Sequence, residues 1–282
     1  MGTSTSSSGG KAGSPFDPEW LTSSGAAGTA AGDDGASAVD GDSSGEGGID
    51  GQVDGGAEGV VDGDFAPSRR FADARTKMSA YLAGGGRPSL RAAAKSMVTR
   101  GMGGSSRAAS TMRGTSQGAG ALGHFLASAR DGSDPRVADW VSHARQSNMA
   151  ADDLIVELVK EVMPSTGSID DESLRNAAAD ALGQLYELNP DIDIFNLTDA
   201  QIHDVMAITI ANDVCNRMDH QLGQAYEKLK YDPQQIQLYR QDVKEYVQSE
   251  VRVVMERHGS AGLDPKSLAH EVLKSTLEVF AS

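Results

Sequence analysis

Six histidines and one cysteine are the side chains of this 282-residue sequence best suited to metal ligation or nucleophilic attack. His124, His143, His203, His220, His258 and His270 never stand in the His-x-x-x-His or His-Glu-x-x-His spacing that brings two imidazoles to one helical face. Cys215 and His220 lie five positions apart, at different angles on a helix, so packing and surface roles explain them better than shared metal binding. Cys215 has no base near it in sequence and reads as a buried small hydrophobe. Asp191 and Asp193 fall in NPDIDIF, where turn formation accounts for both. GMGGSS at 101–106 is glycine-rich but lacks the Gly-Lys-Ser/Thr ending of a phosphate loop, and neither a Gly-x-Ser-x-Gly elbow nor a dinucleotide fingerprint occurs. GIDGQVDGG begins like a calcium loop, yet the twelfth position from Asp50 is Val61 where an EF-hand requires Glu. The sequence therefore predicts a non-enzymatic protein that holds neither metal nor cofactor.

One reactive group is left at the start of the chain. Gly2 follows Met1, so removal of the initiator methionine would leave a free glycine amine on MGTSTSSSGG, a stretch of small uncharged residues. Met-Gly-x-x-x-Ser also has the form of an N-myristoylation site, with Ser6 in the last place. PFDPEWL at 15–21 is the only apolar cluster before Phe65. Its Phe16, Trp20 and Leu21 suit docking onto a partner or onto the chain's own core; a solvated tail is the plainer alternative.

The elements that must position these groups differ sharply in charge. Residues 1–64 carry twelve acids against Lys11 and hold 17 of the 33 glycines. Residues 65–130 carry eleven bases against Asp73, and residues 131–282 return to an excess of acids, 27 against 13. Within the first block, residues 22–64 offer almost nothing to bury against the roughly 1–2 kcal/mol that ordering each residue costs. They read as a disordered acidic linker behind a tail motif at 1–21.

The basic block at 65–130 reads as helices joined by glycine hinges. Phe71, Ala74, Met78 and Tyr81/Leu82 make one apolar stripe, ended by Gly84 to Gly86. A second helix is expected from Ser89 to before Gly101, and a third through SQGAGALGHFLASAR, though its glycines weaken it. Arg69, Arg70, Arg75, Arg91, Lys95, Arg100, Arg107 and Arg113 are spread along the block, a distribution able to track a nucleic-acid backbone or an acidic partner. The aromatic residues that stack single-stranded bases are not interleaved among them.

From residue 131 onward six helices are expected, three opened by Asp-Pro at Asp134, Asp232 and Asp264. Ser168 and the Thr198/Gln201 capping box open two more. The Thr198 helix is apolar over a wide arc and should be central. No segment has the period of a strand, so the fold class is all-α: an acidic helical bundle at 131–282 preceded by the basic helical segment. No apolar run approaches a membrane span, no h-region opens the chain, and a single cysteine excludes an intramolecular disulfide framework. A soluble cytoplasmic protein is the expectation.

The order of these blocks resembles a known family. MGTSTSSSGG, the Pro15/Pro18/Trp20 cluster, and FADARTKMSAYLAGGG followed by RPSLRAAAKSMVTRGMGGSSRAASTMRGT are similar to segments of the QatB family of bacterial Qat anti-phage defence systems. The acidic helical part is similar in character, and residues 22–64 carry none of the likeness. The resemblance implies a role beside an ATPase, a QueC-like enzyme (QatC) and a TatD-like nuclease, without catalytic motifs of its own. QueC-type enzymes activate 7-carboxy-7-deazaguanine with ATP and pass it to an amine, so Gly2 becomes a candidate acceptor, with Thr3, Ser4, Phe16, Trp20 and Leu21 as partner contacts. An α-amine with a pKa near 8 supplies far more free base at neutral pH than a lysine near 10.4. Two other readings stand beside it: a non-covalent scaffold, and a nucleic-acid sensor working through residues 65–130.

Overall fold

Capping chemistry marks where the helices begin. In the computed structural model, which describes residues 69–163, 167–228, 232–259 and 262–282, the carboxylates of Asp134, Asp232 and Asp264 accept backbone N–H bonds from the first turns they precede. Ser168 accepts from the Asp171 N–H, and Thr198 and Gln201 close the reciprocal capping box. All regular structure among the described residues is helical. The fold class is all-α, as the sequence predicts. The tail at 1–21, the linker at 22–64 and the helix stop at Pro164 lie outside the described residues.

The described helices are α1 (Ala72–Ala80), α2 (Gly86–Ser96), α3 (Ser105–Thr111), α4 (Arg113–Asp131), α5 (Pro135–Ser147), α6 (Ala151–Val162), α7 (Ile169–Leu188), α8 (Asp199–Leu222), α9 (Gln224–Lys228), α10 (Pro233–Gly259) and α11 (Pro265–Ala281). Single π-helical turns at Tyr81–Gly85 and Met97–Gly101 extend α1 and α2. The second helix begins three residues earlier than its Ser89 start in the sequence reading. Gly84 and Gly86, at φ of 98° and 62°, make the reversal, and Pro88 then falls in the first helical turn, where its missing N–H costs nothing.

The wide apolar arc of α8 does place that helix at the centre, packed against α4, α7 and α10 and touching α1 and α11. Ile202, Val205, Met206, Ile210, Val214 and Met218 are all buried along it. Phe71, which caps α1, and Met78, Leu90, Ala108 and Leu122 of α1 to α4 join the same hydrophobic cluster as the acidic helices. Two further ties join them. The Tyr81 hydroxyl donates to Asp242 of α10 at 2.5 Å, and the Tyr239 hydroxyl donates to the Leu82 carbonyl at 3.0 Å.

The glycines of α4 have a packing reason that sequence does not show. A Cβ on Gly118 would stand 2.5 Å from Leu174 of α7, one on Gly123 2.3 Å from the Met206 sulfur of α8, and one on Gly120 2.8 Å from the Lys266 Cα of α11. Each glycine admits a different helix. The helix-propensity cost of about 1 kcal/mol per glycine is offset by close contact on three sides.

Candidate functional site

The fold separates the eight cations singled out in the basic block. Arg70 lies over the Phe71 ring at 5.1 Å, and Arg75 donates from Nε to the Gln221 carbonyl at 2.8 Å. Lys95 donates to the Ser282 carbonyl at 2.7 Å, and Arg91 stands 3.8 Å from Glu250. Arg100 pairs at 3.1 Å with Asp73, which also takes Lys77 at 2.7 Å and the Ser96 hydroxyl. Asp73 is the one acid of the block, and these donors, Lys77 first, hold its carboxyl below the ordinary value of 3.8. Arg69, Arg107 and Arg113 stay exposed, on different elements. The tail candidates Gly2, Thr3, Ser4, Phe16, Trp20 and Leu21 lie outside the described residues.

A buried ionic network that the sequence did not announce ties the basic block to the acidic helices. Asp213 of α8, fully buried, accepts from the Thr115 hydroxyl of α4 at 2.5 Å, from Ser173 of α7 at 2.9 Å and from Arg217 Nε at 3.0 Å. Arg217 also reaches Asp170 at 3.1 Å. Burial opposes the charge on Arg217, but the two carboxylates outweigh it and raise its pKa above the ordinary guanidinium value. Spacing of four between Asp213 and Arg217 is the sequence signal that could have suggested part of this. Its partners Thr115 and Ser173 are 98 and 40 positions away from Asp213.

Cys215 sits half-buried at the margin of the core rather than within it. Desolvation pushes its thiol up to about 12, against an opposing pull from Lys244, so it stays protonated and weakly nucleophilic at neutral pH. Among the described residues no group of three or more His, Cys, Asp or Glu side chains is placed to hold a metal ion. Asp193 does what its turn predicts, accepting from the Phe195 N–H at 3.0 Å while pairing with Arg145 at 2.9 Å.

Two grooves differ in the state of their charges. The first, of about 980 Å³, runs between α7, α8 and α10 and is lined by Asp170, Asp219 and Glu227 together with Arg217 and Arg240. Both of its arginines are engaged, Arg217 as above and Arg240 with Asp219 at 3.2 Å. Burial raises the Asp219 pKa, with Arg240 opposing. The second groove, of about 790 Å³, lies between α3, α4 and α11, and its charged or titratable lining is Arg113, Lys266, His270 and Lys274. No carboxylate lines it. Lys266, His270 and Lys274 recur every four residues, the pattern that could have exposed the strip in a segment read only as acidic.

A family model for the Qat anti-phage system associated protein QatB matches residues 103–280. The chain belongs to the QatB family. The QatB match covers α3 to α11 apart from the last residue, so it includes both grooves and the Asp213 network. The opening segment and the first two helices, on which the sequence resemblance rested most, precede it. No curated protein and no solved structure matches the chain. Membership makes the protein a component associated with an anti-phage defence system. None of the described helices is long and apolar enough to cross a membrane.

Proposed function

We propose that this chain is a non-enzymatic, cytoplasmic component of a Qat system that binds a QueC-like partner (QatC) and is itself that enzyme's substrate. The acceptor is the α-amine of Gly2. The QatB match over residues 103–280 is the observation that supports the reading, because the matched family is associated with a Qat anti-phage system. The opening MGTSTSSSGG supports it: ten residues without a charged side chain can thread a deep active site without desolvating an ion. In the reaction the carboxylate of 7-carboxy-7-deazaguanine attacks the α-phosphorus of ATP on the partner enzyme, pyrophosphate leaves, and an acyl-adenylate forms. The unprotonated Gly2 amine attacks the acyl carbon, an amide bond forms, AMP leaves, and the amine proton passes to solvent. Phe16, Trp20 and Leu21 would grip the partner outside that site, and Thr3 and Ser4 would contact it within. The ATPase and the TatD-like nuclease of such systems are further partners in this reading.

Intact-protein mass spectrometry after co-expression with the QueC-like enzyme, active or inactivated, tests the reading. The expected result is an added mass of one 7-carboxy-7-deazaguanine less a water, mapped to the peptide that starts at Gly2 and absent with the inactive enzyme. An unmodified Gly2 under active conditions overturns the acceptor role and leaves the non-covalent adaptor. A sensor working through the whole 65–130 block draws on fewer free cations than the sequence offers, because Arg70, Arg75, Arg91, Lys95 and Arg100 each have a partner within the chain.

A further inference from the structure

The groove between α3, α4 and α11 has an electrostatic property that internal packing does not explain. Arg113 rises from the start of α4, while Lys266, His270 and Lys274 form a strip along α11. The eight residue steps from Lys266 to Lys274 rise about 12 Å along the helix. Among the described residues none of these four side chains makes an ion pair or a hydrogen bond, in a chain whose formal charge is −15. Several cations elsewhere do have a carboxylate beside them: Arg100 has Asp73, Arg130 has Asp131 and Asp199, Arg145 has Asp193 and Arg240 has Asp219. Facing cations without counter-charge repel one another, and a concave wall focuses their field outward onto whatever anion enters.

The rest of the lining narrows the ligand. Ser106, Ser110 and Gln117 add hydroxyl and amide donors, and the only wholly apolar side chains in the lining are those of Ala109 and Ala121. An acidic peptide would need a pocket for an apolar anchor side chain, and alanines make none. The volume, about 790 Å³, is that of a small-molecule site. Arginine, lysine and hydroxyl donors around one hollow match the oxygens of phosphate esters. Asp264, at the helix start, is turned to other work, since its carboxylate accepts from the backbone N–H groups of Lys266 and Ser267. Gly120 holds the two walls together by letting α4 close on the Lys266 backbone.

The geometry points to a phosphate-ester site in this groove, with Arg113, Lys266, His270 and Lys274 as its donors and a nucleotide, free or within a strand, as its ligand. All four lie inside the stretch matched by the QatB family model. The site is independent of Gly2, so a Gly2→Pro chain should bind as the parent does.

The test titrates the full chain with ATP by calorimetry and with a fluorescent single-stranded oligothymidylate by anisotropy, beside a polyglutamate peptide. At least one phosphate probe should bind. The double variant Lys266→Ala/Lys274→Ala should weaken it by more than about tenfold, the scale of one lost charge-assisted bond. Arg136→Gln, an exposed cation outside the groove, should bind as the parent does. Binding of ATP alone assigns a free nucleotide. Binding of the strand with a log–log salt slope of about −2, reduced by about 1.4 in the double variant, assigns polynucleotide phosphates. The variants remove exposed, unpaired side chains, so an unchanged melting temperature shows that they fold. Failure of both phosphate probes, equal binding by the double variant, or polyglutamate binding as tightly as either probe overturns the assignment.

Discussion

The groove around Asp219 and the groove around His270 hold their cations in opposite states. Around Asp219 every cation is matched: Arg240 pairs with Asp219, and Arg217 with Asp213 and Asp170. Around His270 no cation is matched within the described residues. The difference teaches that net charge by segment is a poor guide to where free charge ends up. The block with eleven bases keeps much of its charge for internal contacts, whereas the acidic part provides three of the four groups that make the basic groove.

Substitutions can break that contrast, and the largest effect is expected at its buried end. Asp213→Ala would strip Arg217 of its buried partner and leave a cation desolvated beside Asp170 alone. We expect a loss of about 3–5 kcal/mol in chemical denaturation. Gly120→Ala comes next, because its Cβ meets the backbone of Lys266 rather than the tip of a flexible chain. Forcing α4 and α11 apart should cost about 1–3 kcal/mol, and it should lower phosphate-probe affinity without removing a donor. Wild-type affinity in a measurably destabilised Gly120→Ala chain would separate groove shape from ligand binding.

Thr115→Val removes one of three donors to Asp213 and should cost about 1 kcal/mol, read from the denaturation midpoint at constant slope. The effect should be smaller than at Asp213 because Ser173 and Arg217 remain. The smallest effect concerns Asp73. Its folded pKa lies below the ordinary 3.8, so the folded state binds fewer protons there than the unfolded chain. The stability it contributes is fully present above about 3.8 and is lost as pH falls through the lowered value. Asp73→Asn should therefore flatten the acid limb of a pH–stability curve while leaving that curve's shape near neutrality unchanged. An identical acid limb in both proteins would show that Lys77 and Arg100 give Asp73 no net stabilisation, the common result for exposed pairs.

Much of the local structure was legible in the order of residues. Asp134, Ser168, Thr198, Asp232 and Asp264 each start a helix because a side-chain oxygen one position before the first turn satisfies N–H groups that no carbonyl can reach. The stripe of Ile202, Val205, Met206 and Ile210 marked α8 as central, since a helix apolar over a wide arc must be covered on several sides. These rules act within a few positions, and sequence carries that information directly. The Gly-Asp-rich composition of residues 22–64 and the Gly2 opening are likewise properties of sequence alone.

Tertiary structure decided what depends on distant partners. Gly118, Gly120 and Gly123 weaken a helix when read along the chain and become contact points only once α7, α11 and α8 lie against them. Asp213 finds its hydroxyl partners only when Thr115 and Ser173 arrive from 98 and 40 residues away. Arg113 and Lys274 stand in blocks of opposite net charge, yet folding brings them to one hollow because the same core buries both of their helices. Periodicity and capping are set by the helix's own geometry, and composition fixed the number of charges. Which charges meet, and which face solvent alone, followed from the packing of helices that a single sequence does not order in space.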